Sequence, residues 1–83
     1  MKSDFIFSES AFKHGIAEDD IKSALDTFVF EGTIIGEDEK LLILGFDRNG
    51  NLFEVMYNID DDDVGNVFHA MKCRKQFLKW IER

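Results

Sequence analysis

Glu54 and His69 are the side chains to consider first for chemistry, because a carboxylate beside an imidazole orients the ring and poises it for proton transfer near neutral pH. A structural cross-strand ion pair between them is the alternative. His14 sits where a short helix should end, and a charged imidazole there also simply suits the negative end of the helix dipole. His14 and His69 lie far apart in the chain and lack metal-ligand spacing, so no metal site is expected. Asp60 to Asp63 has D-x-D spacing without the glycine and terminal Glu of a calcium loop, which reads as a solvated turn. The glycines form no phosphate-cradling motif, and Ser8, Ser10 and Ser23 have no nucleophile context. No cofactor is expected.

The elements that must position this pair follow from periodicity. Asp4 to Phe7 reads as a short edge strand; a brief helix capped by Ser8 or Ser10 then ends at Gly15 in a left-handed position. Glu18-Asp19-Asp20 fills the first turn of a second helix, where negative side chains suit the dipole, and Ile21, Ala24 and Leu25 form its apolar face up to Asp26. From Thr27 to Ile35 the residues turn β-branched and aromatic, a first long strand closed by a polar turn at Gly36 to Glu39. Lys40 to Asp47 and Leu52 to Ile59 are two further strands around Asn49-Gly50, a strong hairpin signal. Pairing Arg48 with Asn51 sets Phe46 opposite Phe53, Leu44 opposite Val55 and Leu42 opposite Tyr57. An Asp60 to Asp63 loop leads to a strand from Val64 to Met71, which sets Val55 opposite Phe68 and Glu54 opposite His69. Met56, Val67 and Met71 then surround the pair on a second, half-apolar sheet face suited to a partner. The last segment, Lys72 to Arg83, is an amphipathic helix with Cys73, Phe77, Trp80 and Ile81 inward and Lys72, Lys75 and Lys79 outward. The fold class is α+β: N-terminal helices, an antiparallel meander and a C-terminal helix.

At 83 residues the chain makes a single domain, residues 1–83, and its nine Phe supply a core without staples. Cys73 is the lone cysteine, which points to a reducing compartment, and the apolar runs are strand-sized, so a cytoplasmic protein without membrane segments is expected. The net charge of −7 argues against non-specific attraction to nucleic acid. Residues 64–83 nevertheless carry five bases against one acid. That basic strip either complements its own domain or docks an anion, RNA or an acidic partner.

Phe12-Lys13-His14-Gly15-Ile16 with Glu18, Asp20-Ile21 and Ala24 resembles the N-terminal segment of BrnT-like toxins of bacterial type II toxin–antitoxin pairs. Leu42-Ile43-Leu44-Gly45-Phe46-Asp47, Gly50-Asn51-Leu52, Glu54-Val55 and Phe68-His69-Ala70-Met71-Lys72-Cys73-Arg74-Lys75 resemble a subgroup with a HAM-[KR]-x-R ending. The resemblance implies a RelE-like α+β fold, a metal-independent ribonuclease activity and a cognate antitoxin that holds it inactive. In that reading Glu54 and His69 are base and acid, Lys13, Lys72 and Arg74 meet the RNA phosphate, and Met56, Val67 and Met71 meet the antitoxin. The alternative is a non-catalytic protein-binding module or a homodimer of the same fold.

Overall fold

The computed structural model describes residues 5–34 and 37–81. Five strands, β1 (Phe5–Phe7), β2 (Phe30–Ile34), β3 (Glu37–Phe46), β4 (Leu52–Ile59) and β5 (Gly65–Lys72), form one mixed sheet in the order β1-β5-β4-β3-β2. β2 to β5 are the expected antiparallel meander; β1 is an edge strand as anticipated, running parallel to β5. Two helices, α1 (Glu18–Asp26) and α2 (Lys75–Leu78), complete an α+β fold. Among the described residues no helix is long and apolar enough to cross a membrane.

α1 occupies the expected segment, and its Ile21, Ala24 and Leu25 are buried against one sheet face with Ile43, Phe53, Val55, Tyr57, Val67 and Ala70. Its approach depends on Gly45, where a Cβ would stand 1.9 Å from the Ala24 carbonyl oxygen. The helix is also clipped to the β3–β4 hairpin: Arg48 Nε donates to Asp20 at 2.9 Å, and the Ser23 hydroxyl donates to the Phe46 carbonyl.

Several expectations need correction. The first helix is a single 3-10 turn, Glu9–Phe12, although Gly15 is left-handed as expected, at φ 77°. The strand after α1 is shorter, Phe30–Ile34, and β3 already begins at Glu37, so the polar turn does not reach Glu39; Ile35 and Gly36 lie outside the described residues. The hairpin register differs by one residue: Phe46 faces Leu52, Gly45 faces Phe53 and Leu44 faces Glu54. A two-residue type I′ turn needs φ > 0 at both Asn49 and Gly50, whereas only Gly50 adopts it, at φ 83°. The chain instead uses a three-residue loop closed by Gly50 N–H to the Asp47 carbonyl, with the Asp47 carboxylate accepting from the Asn49 and Asn51 N–H groups.

This one-residue difference exchanges the two faces of β3, so that Ile43, rather than Leu42, Leu44 and Phe46, lies beside Phe53, Val55 and Tyr57. Leu42 and Leu44 join Phe77 in a second core on the opposite face, with Phe30, Leu52, Met56, Cys73, Trp80 and Ile81 packed around them. α2 is one turn, Lys75–Leu78, rather than a helix that starts at Lys72 and runs on through Ile81, and Lys72 belongs to β5; residues 82 and 83 of the expected helix lie outside the described residues. The hydrogen bonds that follow run Trp80 N–H to Phe77 and Ile81 N–H to Leu78, a 3-10 pattern that aligns residues i and i+3. Phe77 and Trp80 therefore stack edge to face, 5.4 Å between ring centroids, over Phe30 and the second core. Lys75 and Lys79 are exposed, as expected of the polar side.

Candidate functional site

β5 changes register at Phe68. Tyr57 pairs with Val67, but Met56 pairs with His69, so Phe68 is the extra residue of a bulge. Glu54 consequently faces Met71 rather than His69. Both Met71 and His69 still lie on Glu54's side of the sheet, and the expected pair forms diagonally with Nε2 of His69 2.8 Å from Oε2 of Glu54. Before the bulge the alternation is inverted: Val67 is fully buried in the α1-side core and does not share a face with Met56. Beyond it Lys72, opposite Phe53, falls on the α1 side as an exposed strand end.

The bulge also recruits the N-terminal segment. β1 stops pairing at Val67, and the carbonyls left on that edge of β5 are satisfied by the following residues: Ser8 N–H donates to the Val67 carbonyl and the Ser10 hydroxyl to that of Phe68, at 3.0 and 2.7 Å. Ala11 anchors the turn in the α1-side core, fully buried. Lys13 and His14 are thereby carried onto the β5 edge, where the His14 ring meets the His69 ring edge to face with 5.5 Å between centroids.

Glu54 is the electrostatic centre. It is completely enclosed, yet both carboxylate oxygens are occupied: the Arg74 backbone N–H donates to Oε1 at 2.9 Å, its Nη2 to Oε2 at 2.7 Å, and His69 completes the set. Burial pushes this carboxyl upward, but the hydrogen bonds from His69 and Arg74 prevail and hold it below the ordinary carboxylate value. Glu54 is therefore an ionised acceptor with no face open to a ligand. Because Glu54 is an ionised acceptor, Nε2 of His69 carries the hydrogen of this bond and donates it. Arg74 is fixed at its root and remains partly exposed, its side chain 42% accessible.

Around this network lies an open hollow of about 490 Å³ lined by Ser10, Lys13, His14, Lys40, Met56, Phe68, His69 and Arg74. Lys40 stands over the Phe68 ring at 5.5 Å. Of the anticipated residues, Lys13, Met56, His69 and Arg74 meet here, with Glu54 directly behind; Lys72, Val67 and Met71 do not line it. Lys40, Phe68 and Ser10 are additions that sequence reasoning missed. The one-residue hairpin slip had placed Lys40 on the opposite face, and nothing in the composition of β5 marks Phe68 as a bulge. Cys73 packs against the second core, where burial pushes its thiol upward, so it offers no nucleophile. Among the described residues no three His, Cys, Asp or Glu side chains converge as metal ligands would.

The hollow thus gathers Lys13, Lys40, Arg74 and two imidazoles on a chain of net charge −7. Such a set of donors is chemically suited to an anion with a planar or tetrahedral oxygen array, such as a phosphate. Comparison with protein-family models, with curated proteins and with solved structures finds no match to this chain.

Proposed function

We propose that the protein is a toxin-like RNA endonuclease of RelE-like fold that works without a metal and is held inactive by a cognate antitoxin. The observation that carries this reading is the hollow, where Lys13, Lys40 and Arg74 surround His69 and His14. A phosphodiester seated there has cations for its non-bridging oxygens and an imidazole within reach of its reacting groups. The resemblance of the KHG and HAM segments to BrnT-like toxins supports the same conclusion, since Lys13 and His14 of the first and His69 of the second line the hollow.

Glu54 takes a positioning part in this reading rather than that of a general base, because its oxygens are enclosed and already bonded. It keeps the His69 ring oriented and stabilises the imidazolium that forms when the ring accepts a proton, as a carboxylate does behind a catalytic histidine. Phe68 and Lys40 put an aromatic ring and a cation side by side on the wall, the groups that meet the bases and backbone of single-stranded RNA. An antitoxin would silence the site by laying an acidic segment across Lys13, Lys40 and Arg74, neutralising the cations that RNA needs.

The test is incubation of the purified protein with single-stranded RNA in excess EDTA. Cleavage by the wild type, lost in His69→Ala while the variant stays folded, is the expected result. Intact RNA under all conditions, with no measurable RNA binding, overturns the reading.

A further inference from the structure

The sheet ends on β2, at the edge opposite β1 and the β5 bulge. The strand alternates without interruption. Phe30, Gly32 and Ile34 are half-buried on the second-core side, whereas Glu31 and Thr33, opposite Ile43 and Leu41, are exposed on the α1 side. The irregularity between Thr33 and Ile34 places its extra residues on β3, so β2 itself stays regular.

Edge strands are ordinarily blunted by charge, proline or a bulge, because their unpaired N–H and C=O groups template another strand. β2 carries no proline and no cation. Its one charged side chain, Glu31, is drawn back over the sheet, where a carboxylate oxygen accepts from the Tyr57 hydroxyl. Phe28 and Val29, both exposed, lead into the strand. The other edge, β1, has only three residues.

A second copy of β2 complements this edge on both faces. Antiparallel pairing about a two-fold axis at Gly32 sets Phe30 opposite Ile34 of the second copy and Glu31 opposite its Thr33. An aromatic ring then meets a β-branched side chain on one face, and a hydroxyl donor meets a carboxylate on the other. The axis passes through a residue without a side chain, and the Phe30 ring already covers it: a Cβ on Gly32 would stand 2.9 Å from the ring's Cζ. An axis at Glu31 would instead set two carboxylates face to face, which directly opposed strand positions disfavour.

We propose that β2 pairs in this way with β2 of a second copy, joining two five-stranded sheets into one continuous sheet about a closed two-fold axis. Directly opposed residues point to the same side of a sheet, so both second cores and both hollows lie on one face of the dimer. The interface does not use the hollow, and it stands or falls separately from the RNA-cleavage reading. A contact of five residues a side is smaller than the roughly 800 Å² per partner of a standard interface, so the dimer should dissociate on dilution.

The test is sedimentation equilibrium of the full chain from micromolar to millimolar concentration, with amide hydrogen exchange followed by nuclear magnetic resonance at both ends of that range. The mass should double as concentration rises, and exchange should slow at residues 30–34. Thr33→Lys should tighten the dimer by about tenfold and Thr33→Glu should weaken it by about tenfold, since each change acts twice, opposite Glu31 of the other copy. A lysine on an edge otherwise opposes pairing, so tightening is specific to this register. Because Thr33 is exposed, both variants should melt like the wild type. Asp61→Asn removes a charge from the β4–β5 loop and should leave the affinity within about twofold, since charges more than about 8 Å apart are largely screened at physiological salt. A chain that stays monomeric at millimolar concentration overturns the proposal. So do open-ended oligomers, slowed exchange confined to β1 or to the hollow, or a dimer that the two Thr33 variants weaken alike or leave unchanged.

Discussion

Replacing Glu54 by Gln tests the network that holds the site together. The side chain is fully buried and accepts from three donors of different origin: His69 Nε2 at 2.8 Å, the Arg74 backbone N–H at 2.9 Å and the Arg74 guanidinium at 2.7 Å. The amide keeps the shape but has one oxygen instead of two, and its NH₂ group meets donors. A hydrogen bond to a charged group contributes about 1.5–3 kcal/mol against about 1 kcal/mol for a neutral one, so weakening two such partnerships should cost about 3 kcal/mol. The pH dependence follows from the depressed carboxyl. A group whose folded value lies below its unfolded value of about 4.3 contributes stability that is complete above that value and is lost as pH falls through the folded one. Urea melts of both proteins from pH 7 down to pH 3 should therefore show a gap that is full at neutral pH and narrows only in the acid range. A gap under about 1 kcal/mol at pH 7, or one unchanged by acidification, would refute the claim that an ionised Glu54 organises the site.

Other perturbations test the positioning elements. Phe77→Ala, which empties the centre of the second core, should cost about 3 kcal/mol or more in urea melts. Gly45→Ala forces a Cβ into the Ala24 carbonyl and should cost about 3 kcal/mol by displacing α1, measurable as a lowered melting temperature. In fluorescence titrations with single-stranded RNA, Lys40→Ala should weaken binding and lower the salt slope by about 0.7, whereas Lys72→Ala, on the other side of the sheet, should leave that slope unchanged.

The sequence was most legible where periodicity is long and uninterrupted. α1 is marked by its acidic first turn and its Ile21, Ala24 and Leu25 face, and β4 by its alternation. Register was less legible because it rests on single residues. Asn49-Gly50 suggests a two-residue turn, but the Asp47 carboxylate captures two N–H groups of the loop and makes the three-residue turn the better one. Glu54 and His69 survived this because two one-residue displacements add up at Glu54: the loop sets Ile59 opposite Gly65 instead of Val64, the Phe68 bulge adds one more residue, and an even total keeps both on one face. Val67 did not, since it precedes the bulge and the alternation inverts there. The meeting of His14 with His69 could not be read from spacing at all. It depends on the parallel pairing of β1 with β5 and on Ser10 satisfying an orphaned carbonyl, both of which are long-range.

The central claim, that the hollow at the Phe68 bulge receives an RNA phosphate, is tested most directly by nuclear magnetic resonance titration of the labelled protein with a short single-stranded RNA blocked by 2′-O-methylation. The account predicts saturable shifts concentrated at Lys13, His14, Lys40, Phe68, His69 and Arg74, weakening as salt rises. Shifts confined to Lys72, Lys75 and Lys79, or none at millimolar RNA, would contradict it.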